Sequence, residues 1–200
     1  MLRVELPSTR DSLRRSVEDA VAVCEGLLED ESVTAIEHAT DGIVRSLRNG
    51  GKVLLCGNGG SAADAQHLAA ELIGRFCLDR QALPAIALAD NIAAMTAVGN
   101  DYSYEEVFVR GVYGLGRPGD VLIGMSTSGS SPNVLAALEA AGELGLVTIA
   151  LVGRSDCAMA DLADHVISVP GANTARIQEG HMLAGHTIFE LVERELCAIS

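Results

Sequence analysis

Two rhythms divide the chain. Up to about residue 50 the apolar positions return every three or four residues. In STRDSLRRSVEDAVAVCEGLLED, which starts at Ser8, Leu13, Val17, Ala20, Val21, Cys24, Leu27 and Leu28 share one face of a helix. A second helical stretch, SVTAIEHATDGIVRSLRNGG, is stopped by Asn49, Gly50 and Gly51. These two helices could pack on the sheet that follows or on their copies in another subunit. From Lys52 the rhythm changes to short aliphatic runs, KVLLCG, PAIALA, DVLIGMS, LVTIALVG and HVISVP, set between helical segments. Such runs are strands covered on both faces, and their alternation with helices implies parallel βαβ units. The pattern predicts an α/β protein with a doubly wound, five-stranded parallel sheet, two leading helices and a long last helix from Thr174 to Cys197.

Composition narrows the picture. The chain has 200 residues, 48% of them apolar, enough for one sizeable core, so one domain is expected over residues 1–200, with 51–200 forming the α/β part. Trp is absent and aromatics make up 3%, which suits closely packed helices on aliphatic strands. The formal net charge is −13 and no run of Lys or Arg occurs, so nucleic acid is not an expected partner. No apolar stretch approaches the roughly 20 residues of a membrane span, and MLRVELPSTR lacks the apolar run of a signal peptide. No membrane partner and a cytoplasmic location are therefore expected. The five cysteines are scattered without a C-x-x-C spacing, which predicts reduced, structural thiols rather than disulfides or a thiolate metal site.

Two loops carry candidate chemistry. LLCGNGGSAADA is a strand, a glycine-rich turn and a helix start, where the backbone can approach an anion and unpaired N–H groups face it. Gly57, Gly59 and Ala62 also match the dinucleotide fingerprint, but Asp90, the acidic residue after the next strand, lies well beyond the usual interval of about 20 residues. GMSTSGSSPNVLAAL repeats the architecture with hydroxyls at Ser126, Thr127, Ser128, Ser130 and Ser131. Ser131 before Pro132 is a good cap and first-turn pair, so this loop is either a phosphate site or an ordinary capped turn. In an open α/β sheet both loops lie at the carboxyl ends of strands, where ligands bind. On the helix after the first loop, His67, Glu71 and Arg75 are spaced by four along one face; a solvated stripe with a Glu71–Arg75 ion pair would read the same way. On the last helix Gln178 and His186 are roughly 80° apart and His181 and His186 about 140°. Spacing alone does not choose between these histidines.

Taken together, CGNGGSAADAQHLAAELIGRF, AVGNDYSYEEVF, MSTSGSSPNV and RIQEGHMLAGHTIFELVE resemble the sugar isomerase (SIS) domain family, and within it the isomerases of sedoheptulose 7-phosphate. The resemblance spans nearly the whole chain, with four motifs in the same order. It implies that Ser126, Thr127, Ser128 and Ser131 hold the sugar phosphate, and that Asn58, Gly59, Gly60, Asn100 and Asp101 contact the sugar. It further implies that His67, Glu71, Gln178 and His186 gather around one zinc ion per subunit, with Glu71 and Gln178 also touching substrate. Glu71 and His186 would carry the proton transfers, and His181 would be a packing or surface residue. The resemblance also implies a homotetramer with sites completed across subunits, which makes residues 1–50 an oligomerisation extension. Members of the family carry Asp just before R-I-Q, where this chain has Ala175, so a contact from that position is not carried over.

The implied reaction turns a 2-ketose into an aldose by removing a proton from C1 and returning one to C2 through a cis-enediol. A carboxylate suits the carbon proton, and an imidazole, which titrates near working pH, suits the oxygens. Zinc would polarise the C2 carbonyl, although Gln is an unusual ligand for it. The alternative is a non-catalytic SIS-domain protein that binds a partner, of the replication-initiator-associating type. Such a protein keeps the phosphate loops but lacks the acid and base pair, whereas Glu71 and His186 are both present here. A sugar-phosphate sensor would need a DNA-binding module, and none is read in the sequence.

Overall fold

The computed structural model describes residues 7–197. Residues 1–6 and 198–200, which the one-domain expectation includes, lie outside the described residues. Helix α1 (Thr9–Gly26) begins on Ser8, whose hydroxyl oxygen accepts from the Asp11 N–H at 3.1 Å. Helix α2 (Asp30–Arg48) carries Asp30 and Glu31 in its first turn and Arg45 and Arg48 in its last, matching the helix dipole at both ends. The predicted rhythm change after Gly51 is real: β1 (Val53–Gly57), α3 (Gly60–Ile73), β2 (Ala85–Ala87) and α4 (Ile92–Asp101) follow. They lead to α5 (Val109–Leu115), β3 (Val121–Ser126), α6 (Pro132–Glu143), β4 (Val147–Val152), β5 (His165–Ser168) and α7 (Thr174–Cys197). Short 3₁₀ turns, Leu88–Asp90 and Tyr104–Glu106, flank α4.

All five strands pair in parallel, in the order β2-β1-β3-β4-β5. Alternation along each strand divides the core into two. Val53 and Leu55, Val121, Ile123 and Met125, and Ile149 and Leu151 face one side, where α1, α2, α3 and α7 supply Val23, Ile43, Leu68, Leu72, Ile188 and Phe189. Leu54, Cys56, Leu122, Ala150 and Val152 face the other side, toward Phe108, Val112, Val134 and Leu138 near and on α5 and α6. Because both faces are covered, the strands read as unbroken aliphatic runs rather than alternating ones. Asp120, 3% exposed, ties the lower ends of β1 and β3: it accepts from the Lys52 N–H at 2.9 Å and the Arg117 N–H at 2.8 Å and pairs with the Lys52 ammonium.

Strand order reverses between β1 and β3. The chain leaves β1 to build β2 on one side and leaves β3 to build β4 and β5 on the other. As a result the loops after β1 and β3 diverge to opposite faces, α3 on one and α6 on the other, and open a cleft at the carboxyl end of the sheet. Helix α7 returns across α3 at Gly185, where a Cβ would stand 2.7 Å from Leu68 Cδ1. A side chain here would have to push the buried Leu68 side chain aside.

His181, on the inner face of α7, is 0% exposed and is therefore a packing residue. Burial pushes its imidazole down to about 4, against an opposing pull from the Val152 carbonyl. Between about pH 6.5 and 4 the unfolded chain thus binds a proton here that the folded chain does not, so stability falls as pH falls through that window. Over the whole window the expected loss is on the order of 3 kcal/mol. Urea unfolding at stepped pH should show this slope, and His181→Leu should reduce it by up to one proton; an unchanged slope would place the titration elsewhere.

Candidate active site

The loop after β1 is glycine-rich for a geometric reason. Gly59 sits at φ +57, which non-glycine residues rarely adopt, and it hands the chain straight into α3 at Gly60. The Ser61 N–H donates to the Asn58 carbonyl at 3.0 Å, closing the turn. Gly60 lies directly against the Gln178 side chain of α7, with no room for a Cβ between them. The loop after β3 is a cluster of hydroxyls. Ser126 Oγ lies 3.2 Å from Ser128 Oγ and 2.9 Å from Ser131 Oγ, and the Ser130 hydroxyl donates to Ser128 at 3.1 Å. Ser131 occupies the N-cap position of α6 with Pro132 next, as its sequence suggests, but its side chain makes no capping bond. The hydroxyl turns toward Ser126 instead, so capping does not account for the serines.

Asn58, Gly60, Ser126, Thr127, Ser128, Ser131 and Gln178 line one cavity of about 250 Å³, which has no Lys or Arg in its wall. The N-terminal ends of α3 and α6 both open onto it, which makes it a site for an anion held by hydroxyls and helix N–H groups. Asn100 and Asp101 stand apart from this wall. They are exposed at the end of α4, where the Asn100 amide donates to Asp101 at 2.9 Å. Asp90, the acidic residue of the dinucleotide pattern, is not in the wall either.

A second cluster lies on α3 and α7. His67 Nε2 is 3.2 Å from Glu71 Oε1 and 3.0 Å from His186 Nε2, and one ligand atom from each residue lies within 4.8 Å of the others. The alternative of a solvated stripe through His67, Glu71 and Arg75 does not hold. Helix α3 ends at Ile73 with Gly74 as its C-cap, so Arg75 has left the helix and forms no ion pair with Glu71 among the described residues. Burial lowers the affinity of His186 for a proton, His67 lowers it further and Glu71 opposes both. Ala175 is exposed in the first turn of α7.

Several residues that complete this region escaped the motif reading. Phe76 stacks on the His186 ring, with centroids 5.3 Å apart and planes 14° from parallel. Phe76 is held by Glu193, which is 0% exposed and accepts from the N–H groups of Phe76, Cys77 and Leu78 at 3.0, 2.7 and 2.9 Å. Arg80 pairs with Glu193 at 2.7 Å and donates to the Glu71 and Leu72 carbonyls at 2.8 and 2.9 Å. Burial pushes the Glu193 carboxyl up, but the three N–H groups and Arg80 together outweigh it and leave the group below the usual carboxylate range. Periodicity does contain a signal for Glu193, since it continues the buried stripe of Ile188, Phe189 and Val192. Asp64, one turn before His67, keeps one carboxylate oxygen buried and unpartnered; burial pushes this group up, with His67 pulling the other way.

The fold and site together define an α/β domain with an anion-binding cleft at the carboxyl end of its sheet, and comparison with known proteins gives its family. The SIS domain model matches residues 17–153, and the chain belongs to that family. Within it, the phosphoheptose isomerase of Burkholderia pseudomallei (strain 1710b) is 46% identical over 185 residues, 92% of this chain and 94% of that protein. The phosphoheptose isomerase structures from Neisseria gonorrhoeae and Francisella tularensis superpose with TM-scores of 0.87 and 0.89 at 40% and 37% identity. They cover 93% and 94% of this chain, and 99% and 100% of their own.

Removing the Glu193 carboxylate would leave Arg80 buried without its partner and three N–H groups without an acceptor. Glu193→Ala is therefore expected to cost about 3–5 kcal/mol, measured by urea unfolding at neutral pH. A loss below about 1 kcal/mol would show that the pair does not hold the segment after α3.

Proposed function

We propose that the protein is a ketose–aldose isomerase converting sedoheptulose 7-phosphate to D-glycero-D-manno-heptose 7-phosphate. The observation that carries this is the meeting of Glu71 with two imidazoles on α3 and α7, the two helices that also supply Gly60 and Gln178 to the hydroxyl-lined pocket. The phosphate would lie among Ser126, Thr127, Ser128 and Ser131, with the first N–H groups of α6 behind it. Asn58, Gly59, Gly60 and Gln178 would line the sugar, and Asn100 and Asp101 would add contacts from the end of α4. Glu71 takes the proton from C1 of the open-chain ketose and returns it to C2. His186, whose affinity for a proton burial lowers, moves protons between O1 and O2. The partner-binding alternative has no use for this pairing and is not favoured.

His67, Glu71 and His186 also fit a metal: two imidazole nitrogens and a carboxylate oxygen are a donor set that zinc accepts in open sites. With Gln178 they would hold one zinc ion per subunit, which when bound would polarise the C2 carbonyl and stabilise charge on the enediolate. The outer face of α1 supports a homotetramer with residues 1–50 as its oligomerisation extension. Leu13, Val17 and Val21, at four-residue steps, are 65%, 54% and 49% exposed. No helix among the described residues is long and apolar enough to cross a membrane, in keeping with a cytoplasmic enzyme.

Turnover of sedoheptulose 7-phosphate by the purified protein, with and without zinc, tests the reading. Glu71→Gln and His186→Ala should each lower kcat by about 100-fold or more, whereas a folded wild type that binds the sugar phosphate but never converts it, zinc added, would overturn it. Light scattering should give four subunits for the wild type and fewer for a Leu13→Glu, Val17→Glu variant; a wild-type monomer would remove the tetramer.

A further inference from the structure

The two ligand loops are joined by a reciprocal pair of amides. Asn58 Nδ2 donates to Asn133 Oδ1 at 2.8 Å, and Asn133 Nδ2 donates back to Asn58 Oδ1 at 2.8 Å. The Tyr104 hydroxyl, in the 3₁₀ turn after α4, donates to the same Asn58 oxygen at 2.9 Å. Asn133 is 2% exposed in the first turn of α6, one turn from the serine cluster, while Tyr104 is 59% exposed. A buried amide among Val134, Ala137 and Leu138 is costly unless its bonds are satisfied, and here Asn58 satisfies it.

A side-chain amide has two acceptor lone pairs and two N–H donors. At Asn58 both lone pairs are taken, by Asn133 and Tyr104, and one N–H is taken by Asn133. With the amides oriented this way, Asn58 keeps a single N–H for a ligand in the cavity it lines; turning both amides over together keeps all three bonds, because the Tyr104 hydroxyl also accepts, and leaves a single carbonyl lone pair instead. In either arrangement the two anchors, from two separate elements, hold the amide plane and leave Asn58 one hydrogen-bonding position for the ligand.

We propose that Asn133 and Tyr104 are positioning residues that hold the Asn58 amide in place, so that it offers one directed hydrogen bond to an oxygen of the open sugar chain. The proposal rests on the isomerase reading for the identity of the ligand. It ties sugar recognition to the phosphate loop, because Asn133 lies two residues after Ser131, the N-cap of α6.

Tyr104→Phe removes one anchor from an exposed position and keeps the ring. KM for sedoheptulose 7-phosphate should rise about 3- to 10-fold, the worth of one neutral hydrogen bond. The kcat, the melting temperature and the Kd for inorganic phosphate should stay within about twofold. Asn58→Asp removes both N–H groups, the one Asn133 accepts and the one left for the ligand, so it should weaken sugar-phosphate binding more than Tyr104→Phe does. A Tyr104→Phe enzyme with wild-type KM overturns the proposal, as does one whose affinity for inorganic phosphate falls in step with its affinity for the sugar phosphate. If the wild type binds the sugar phosphate without converting it, the isomerase reading fails. Calorimetric Kd values for the same variants then decide the amide proposal separately.

Discussion

Glu193 keeps a carboxylate where no water reaches it, and an unpaired charge there would cost several kcal/mol. It is tolerated because Arg80 and three successive backbone N–H groups meet it. Much of the catalytic end of the molecule follows from that one constraint. The chain after Gly74 has to turn back onto α7, which brings Phe76 against the His186 ring. Arg80, drawn to the same carboxylate, takes up the free carbonyls of Glu71 and Leu72 at the frayed end of α3. Together with the approach allowed by Gly185, this fixes where the two helices present His67, Glu71 and His186.

The second half of the site obeys a different logic. The protein has a formal net charge of −13, and among the described residues no basic side chain lines the cavity, so this wall has no cation of its own to pair with a phosphate. Binding has to come from hydroxyls and N–H dipoles that act at contact range and depend steeply on direction. Such a wall selects by shape and hydrogen-bond geometry rather than by charge.

The sheet was legible because burial on both faces writes unbroken aliphatic runs, and all five runs became strands. The two loops were legible because glycine next to a helix start and clustered serines each have a local physical meaning. Spacing did not show where α3 stops: His67, Glu71 and Arg75 keep perfect four-residue steps, but Gly74 ends the helix between the second and the third. Nor could spacing choose His186 over His181. That choice depends on which face of α7 meets the sheet, a fact of tertiary packing, and resemblance supplied it before the structure placed His181 in the core. Asn133 and Tyr104 were quoted within motifs yet passed over, since their partners lie 75 and 46 residues away.

Those separations along the chain have a consequence for how the protein is born. Helices α1 and α2 can form from local contacts, but the amide pair spans 75 residues and the two histidines 119. Parallel strands must close long loops before their contacts repay the lost entropy, so the cleft forms only after β1 and β3 lie side by side. On the ribosome, where N-terminal parts fold first, α7 emerges after the whole sheet has been made. Gln178 belongs to the cavity wall and His186 to the cluster on α3, so both halves of the site wait for this helix. Until α7 docks, the chain has neither the finished hollow nor the meeting of His67, Glu71 and His186.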